Sequence, residues 1–207
     1  MKTLVTGGAG FIGGHLVDRL IKEGHKVIVI DNLSTGKKEN LSSEADFYRL
    51  DICDFNKIGP LFKGVDFVFH LAARARIQPS FLDPDLYFRV NVIGTRNVLD
   101  LAKKYGAGRV VYSGSSTAYG SREELPLRED MALTPQALSP YASSKRMGEM
   151  LMHDRGHLTG GPETVCLRYF NAYGPRQTSV EDGAYATIIG IFLSKLKAGE
   201  PLTIVPD

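Results

Sequence analysis

The chain has 207 residues, a formal net charge of +2, and is 43% hydrophobic and 23% charged; that is enough for one full-sized core and the start of a second portion. Acidic and basic residues are interspersed, which leaves no electrostatic footprint for nucleic acid, and no apolar run approaches the ~20 residues of a membrane-spanning helix. The amino terminus enters a strand without a signal-peptide pattern, and two distant cysteines, Cys53 and Cys166, suit a reducing cytoplasm better than a disulfide scaffold.

In chain order the pattern alternates between strand and helix. "KTLVT" (2–6) reads as a strand, followed by a helix over about 11–23. "HKVIVI" (25–30) is a β-branched strand ending at Asp31, and "DFYRL" (46–50) is another. A helix over about 55–62 leads to "VDFVFH" (65–70). A long helix over about 82–105 precedes "RVVYSG" (109–114), and a helix over about 141–155 precedes "ETVCLRYF" (163–170). A last helix covers about 184–199. Continuous apolar strands separated by helices predict an α/β fold, a doubly wound parallel sheet covered on both faces. No fixed short-period repeat or low-complexity tract interrupts it. The longest irregular stretches, 120–140 and 171–183, are where function is expected to sit.

The first strand runs into "TGGAGFIG" and then into helix. In that context the glycines have separate physical jobs. Gly7 makes the tight turn, Gly10 lets the backbone approach a pyrophosphate, and Gly13 allows close helix–strand packing. The helix terminus adds unpaired N–H groups and partial positive charge. Asp31 ends the second strand 18 residues after Gly13, where a carboxylate accepts ribose hydroxyls and repels a 2′-phosphate. The loop therefore predicts a dinucleotide site favouring NAD over NADP.

"SPYASSK" puts Tyr141 and Lys145 four apart on one helical face. A free tyrosine, with pKa near ~10, is a poor base at neutral pH. A nearby ammonium, or the positive nicotinamide of NAD, favours its phenolate. "YSGSSTAYG" (112–120) starts at the carboxyl end of a central strand, where open α/β sheets place ligands. From chemistry alone Ser115, Ser116 and Thr117 are all candidates to relay a proton. His153 and His157 share a helix face as metal ligands do, but "HDRGHLTGG" reads as a solvated helix end, and no metal is expected.

Together these segments resemble the extended short-chain dehydrogenases/reductases. "VIDNLSTGK", "LDI", "HLAA", "VNVIGTRNVL", "SSTAYG", "SPYASSK" and "LRYFNAYGPRQ" are similar to nucleotide-sugar epimerases, most closely the UDP-glucose/UDP-N-acetylglucosamine 4-epimerase type. The resemblance runs to at least Arg176. It implies a Rossmann-type domain over 1–170 and an incomplete substrate-binding portion over 171–207, the rest of that portion missing. It implies Ser115, Tyr141 and Lys145 as the catalytic set. Phe11 and Ile12 would lie at the pyrophosphate, Asp31 and Asn32 at the adenosine ribose, and Asp51 and Ile52 at the adenine. Leu71, Ala72 and Ala73 would flank the cofactor, with Asn91 and Tyr169 near its reactive end. Lys145 would also contact the nicotinamide ribose, and Asn171 would contact the sugar nucleotide. Gly114 departs from the common serine or alanine and reads as extra room.

The implied reaction is transient oxidation at the sugar 4-carbon. Dehydratases of the family carry an Asp-Glu pair after the catalytic threonine, and uronic-acid decarboxylases a Glu in the second slot; here Ser116 and Thr117 stand instead. A UDP-sugar 4-epimerase is the expected enzyme. Another nucleotide-sugar dehydrogenase, reductase or dehydratase is the alternative, and a non-catalytic NAD sensor a third, since fold does not fix function. A homodimer is expected through the long helix and the Tyr141 helix, with Leu86, Val90, Met147 and Met150 on apolar stripes.

Overall fold

The apolar run of β1 (Lys2–Thr6) is buried because it lies mid-sheet, between β2 (Lys26–Ile30) and β4 (Phe67–His70). With β3 (Asp46–Tyr48), β5 (Arg109–Ser115) and β6 (Glu163–Tyr169), these form a six-stranded parallel sheet in the order β3-β2-β1-β4-β5-β6. The computed structural model describes residues 1–133, 136–178, 181, 183 and 186–202. The chain divides into two compact units, Met1–Phe170 and Asn171–Asp207.

Strand side chains alternate between faces, and the core follows that alternation. Leu4, Ile28, Ile30, Val68 and Val110 join one buried cluster with Val98 and Leu99 of α5 (Thr95–Tyr105). Val5, Val27 and Val29 join a second with Val17 and Leu20 of α1 (Phe11–Lys22). Burial on both faces is why the strands read as unbroken apolar runs rather than alternating ones.

The departures from the expected elements have local causes. The segment 55–62 is a short helix, α2 (Phe55–Ile58), that tightens into a 3₁₀ turn over Gly59–Phe62, where Pro60 removes a backbone donor. The long helix is preceded by a separate α3 (Ile77–Leu82) and starts anew at α4 (Pro84–Phe88). There Asp83 caps it by accepting from the Leu86 N–H at 3.0 Å. It widens to a π-helical stretch over Arg89–Gly94 before α5, and such stretches frequently mark functional sites. Gly106, at φ 73°, ends it. α6 (Pro140–Gly156) begins with Pro140 behind Ser139, whose Oγ accepts from Ala142 N–H at 3.1 Å.

In the second unit, α7 (Ile188–Ala198) is capped by Thr187 and ends at Gly199. The expected start of that helix, at 184 and 185, lies outside the described residues. No described helix is long and apolar enough to cross a membrane.

Register fixes where the site sits. Thr6 of β1 pairs with His70 of β4, and His70 with Tyr112 of β5. β5 and β6 continue three residues beyond that row, to the Ser115–Tyr169 pair. At roughly 3.3 Å per residue, Ser115 and Tyr169 stand on the order of 10 Å above the ends of β1 and β4. Connections diverge between β1 and β4, so the crevice outside those strand ends is where an open α/β sheet takes its ligand.

Candidate active site

The turn leaving β1 is held by the Gly7 N–H donating to the Ile30 carbonyl at 2.8 Å, with Gly7 at φ 76°. A Cβ there would also lie 2.5 Å from the Ala72 nitrogen, so both backbone conformation and space demand glycine. A Cβ on Gly13 would run into the Gly7 carbonyl; its closest fit is against the turn rather than the strand. Gly10 differs, with only the Gly7 carbonyl nearby at 3.3 Å. It opens α1 without a side-chain cap, and the first turn carries no acid, so the positive helix end is left for an anion.

A cavity of about 280 Å³ lies along these strand ends. Gly7 and Gly10 line it with Asp31, Asn32, Asp51 and Ile52, and on the β4 side with Leu71, Ala72 and Ala73. Asp31 is buried, and burial pushes its carboxyl up, against N–H donation from Leu33 (2.8 Å) and Ala9 (3.0 Å). Each oxygen keeps a further lone pair for an incoming hydroxyl. Burial also acts on Asp51, but N–H donation from Cys53, the Asn32 amide at 2.9 Å and the Arg89 charge outweigh it and hold its carboxyl low. Arg74 and Arg89 line the same cavity, which sequence reasoning missed.

Behind this floor runs a chain of buried hydroxyls and one imidazole. Ala72 N–H donates to Thr6 Oγ1 (3.3 Å), which lies 2.6 Å from His70 Nδ1. His70 Nε2 is 2.9 Å from Thr95 Oγ1, and that hydroxyl donates to the Asn91 carbonyl at 2.6 Å. Each hydroxyl has one proton. Since Thr95 gives its own to Asn91, it accepts from His70 Nε2–H, and Thr6 donates to Nδ1. Burial holds His70 neutral, down to about 3. The Asn91 side chain continues the chain. Its Oδ1 accepts from Arg74 N–H at 2.7 Å, and its Nδ2 donates to the Arg74 carbonyl and to Ser144 Oγ, both at 2.9 Å. Ser144 in turn donates to the Tyr141 carbonyl at 2.8 Å. Asn91 is thus placed to hold neighbouring segments and is absent from the cavity lining.

At the end of β5 stands the buried Ser115. Burial raises Tyr141 above the ordinary tyrosine range; the neighbouring Ser115 hydroxyl and the Arg76 charge pull it down. The ring meets Tyr87 edge-on, and Tyr87 is anchored by donating to the Ala75 carbonyl at 2.6 Å. The buried Lys145 ammonium lies over the Tyr112 ring, 4.7 Å from its centroid, and not as a direct partner of the phenol. Burial lowers its pKa to about 8. Gly114 gives no spare room in the site: a Cβ would press on the Leu167 carbonyl at 3.0 Å, so glycine here serves the close approach of β5 and β6. Below, Arg168 pairs with Glu149 at 3.1 Å, donates to Tyr119 Oη at 3.0 Å and lies over that ring.

Phe11 and Ile12 form the first turn of α1, outside the cavity lining. Leu86 and Val90 line the cavity, so they are not part of an outward stripe, whereas Met147 and Met150 are exposed. His153 and His157 are exposed at the end of α6, hydrogen-bonded to each other at 3.2 Å. No group of three metal-ligating side chains gathers among the described residues. Asn171 opens the second unit. Tyr87, Thr95 and Ser144 carried no sequence signal, because their roles come from neighbours distant along the chain.

The crevice at the sheet's switch point thus joins a glycine turn, an acid after the second strand, and Ser115, Tyr141 and Lys145 on neighbouring elements. The chain belongs to the NAD dependent epimerase/dehydratase family, matched over residues 3–207. It is 38% identical over 217 residues to the UDP-glucose 4-epimerase of Mycolicibacterium smegmatis, covering 100% of this chain and 66% of that one. It is 40% identical over 210 residues to UDP-glucuronic acid decarboxylase 6 of Arabidopsis thaliana, covering 99% of this chain and 59% of that one. The UDP-glucose 4-epimerase of Thermotoga maritima, solved with UDP-glucose, matches with a TM-score of 0.93 at 38% identity, over 100% of this chain and 66% of that one. The chain thus spans 59–66% of the length of these relatives. NAD is the cofactor, and the residues fit it: the cradle excludes side chains at Gly7 and Gly13, and the buried Asp31 and Lys145 offer opposite charges for hydroxyl-bearing groups.

The His70 environment gives a pH prediction. The unfolded chain protonates this histidine near ~6.5, whereas the folded one resists down to about 3. Below ~6.5 the unfolded state binds the extra proton, so this contribution to stability falls with pH across the window between those values. From about pH 7 to about pH 5, the urea midpoint should drop more steeply for the natural chain than for His70→Gln. Equal slopes would assign the acid sensitivity elsewhere.

Proposed function

We propose that the protein is an NAD-dependent nucleotide-sugar 4-epimerase of the UDP-glucose/UDP-galactose type, acting through a transient 4-keto sugar. The observation that carries this reading is the buried set of Ser115 at the end of β5, Tyr141 in the first turn of α6 and Lys145 one turn further along the same helix. In this reading residues 1–170 are the NAD-binding and catalytic domain, and 171–207 the start of the substrate-binding portion. Asn171 contributes a sugar-nucleotide contact. Two free thiols accord with a cytoplasmic setting.

When bound, NAD accepts a hydride from the sugar and returns it. The chain's own groups do the rest. Tyr141 takes the proton of the 4-hydroxyl, directly or through Ser115, and gives it back after the keto sugar has turned. Burial alone keeps the phenol protonated, so it needs positive charge nearby to act as a base. Lys145, set in a pocket where its ammonium is weakly solvated, holds the nicotinamide ribose. Gly7, Gly10, Phe11 and Ile12 receive the pyrophosphate at the start of α1. Asp31 and Asn32 hold the adenosine ribose, and Asp51 and Ile52 border the adenine. Leu71, Ala72 and Ala73 form the opposite wall, with Tyr169 near the nicotinamide end. Asn91 keeps the Arg74 backbone and α6 in register. The similarity to a decarboxylase supports nucleotide-sugar oxidation in general; Ser116 and Thr117 supply no carboxylate for the elimination or decarboxylation branches, which favours epimerisation.

Titration calorimetry on the chain should show NAD binding more tightly than NADP. Asp31→Ala should narrow the gap by roughly 1–2 kcal/mol, the value of a charge-assisted hydrogen bond; equal affinities in the natural chain would overturn the role of Asp31. In the whole protein, Tyr141→Phe should cut UDP-galactose/UDP-glucose interconversion by ~10²–10⁴ while NAD stays bound. Normal turnover in that variant would refute the assigned base.

The substrate reading extends to a homodimer. Phe88 of α4 and Met147 and Met150 of α6 line an apolar groove, with both methionines about half exposed. Sedimentation at roughly micromolar concentration should give a dimer that Met147→Glu/Met150→Glu dissociates. A natural chain that sediments as a monomer would sink this assembly.

A further inference from the structure

The glycine turn after β1 is gripped by a residue some thirty positions further along the chain. Ala9, in the middle of that turn, is fully buried. Its N–H donates to Asp31 Oδ2 at 3.0 Å. Its carbonyl accepts twice, from the Lys37 N–H and from the Asn40 side-chain amide, both at 2.9 Å. A carbonyl has two lone pairs and no proton, so this one is filled and the amide N–H of Asn40 is the donor. Asn40 also ends a single 3₁₀ turn, Lys38–Asn40, and its backbone N–H donates to the Lys37 carbonyl at 3.0 Å. Three bonds thus close a ring through Ala9, Lys37 and Asn40. We infer that Asn40 is a positioning residue: its amide staples the segment 32–37 onto the Ala9 peptide and so fixes the cavity rim that admits a ribose 2′-hydroxyl and excludes a 2′-phosphate. The inference rests on the reading of Asp31 as the acceptor for the adenosine ribose.

The stapled segment forms part of the cavity itself, where Ser34, Thr35 and Gly36 follow Asp31 and Asn32 in the lining. At its start the Leu33 N–H donates to Asp31 Oδ1 at 2.8 Å and the Ser34 N–H to Asn32 Oδ1 at 3.0 Å, while the Asn32 amide reaches Asp51 at 2.9 Å. Leu33 stands at φ 59°, a left-handed conformation that a non-glycine residue keeps where its surroundings impose it. At the far end the approach is close: a Cβ on Gly36 would lie 2.8 Å from the Ala9 Cβ. Ala9 also sets the aim of the acid. Its N–H takes one lone pair of Oδ2 and the Leu33 N–H one of Oδ1, and these two bonds orient the lone pairs that remain. Without the Asn40 amide the Ala9 carbonyl keeps one donor, and the segment can lift about the strained Leu33. A lifted rim leaves the Asp31 charge in place. It loosens the hold of the carboxylate on a pair of hydroxyls and opens room beside the 2′ position.

The test uses two variants and needs no turnover. Asn40→Ala removes the side chain; Asn40→Asp keeps its shape and removes the donor, since an ionised carboxylate only accepts. Amide hydrogen exchange on the chain without cofactor reads the staple directly. In both variants the Lys37 amide should exchange roughly tenfold faster while the urea midpoint holds. Titration calorimetry then reads the rim. NAD should bind roughly tenfold more weakly to each variant, about the worth of one hydrogen bond, and NADP should change by less than about twofold, so the preference narrows from the NAD side. Unchanged Lys37 exchange would overturn the proposal. So would an equal loss of NAD and NADP, which marks a merely structural role. The two readings fail differently. Equal affinities in the natural chain would sink the role of Asp31, whereas a natural chain that prefers NAD beside variants that prefer it as strongly would sink that of Asn40.

Discussion

The site depends on one buried imidazole. His70 sits at the carboxyl end of β4, paired in register with Thr6 of β1, and it reaches Thr95 on the far side. Because Thr95 has a single proton and spends it on Asn91, the direction of every bond back to Ala72 is settled. The backbone of the cofactor wall, the end of the first strand and the π-helical stretch are thereby tied together through neutral groups. A protonated His70 would present two donors and break that order, so holding it neutral is a structural requirement. From Asn91 the tie passes to Arg74 and Ser144, and so to the turn of α6 that carries Tyr141. The cavity wall around Ala72 and the helix that carries Tyr141 cannot shift independently without leaving buried polar groups unpaired.

Against this neutral frame stand a few buried charges. Asp31 and Lys145 are both largely withdrawn from water, and burial shifts each toward its uncharged form. Asp31 is compensated by two backbone N–H groups, Lys145 by the face of Tyr112. Such partial compensation leaves each charge costly to hold. The Arg168–Glu149 pair follows a different logic. It is well matched and hydrogen-bonded to Tyr119, so it locks the turn after Ser115 to α6 and β6 without itself facing the cavity.

What could be read from the sequence was what depends on local pattern. The parallel sheet followed from apolar runs of β-branched residues, and the cofactor crevice from "TGGAGFIG" with Asp31, because glycine spacing and a strand-ending acid are short-range signals. The placement of Tyr141 and Lys145 one turn apart on a single helix followed from helical period; that the ammonium turns to the face of Tyr112 did not. The readings that missed depended on geometry that periodicity does not encode. Leu86 and Val90 look like an outer stripe if the helix is regular, but they line the cavity, in a segment that breaks at Asp83 and widens after Phe88. Gly114 looks like a vacancy in the site, yet the space is taken by the neighbouring strand's carbonyl. The tie through His70, Thr95 and Asn91 joins residues far apart in the chain, and "HLAA" alone gives no hint of hydroxyls on both sides of its histidine.

The placement of Ser115 relative to Tyr141 follows from unequal strand length. Had β5 ended level with β4, Ser115 would lie on a loop, free to vary its rotamer and its distance from Tyr141. Three further residues of pairing with β6 keep it on the sheet, opposite Tyr169. Tyr141 comes from the first turn of a seventeen-residue helix pinned by the Ser139 cap. Both residues thus sit on rigid elements, which hold side chains in fixed relation more closely than loops do. The close approach that Gly114 permits between β5 and β6 is part of the same arrangement, since a side chain there would push apart the strands whose pairing positions Ser115.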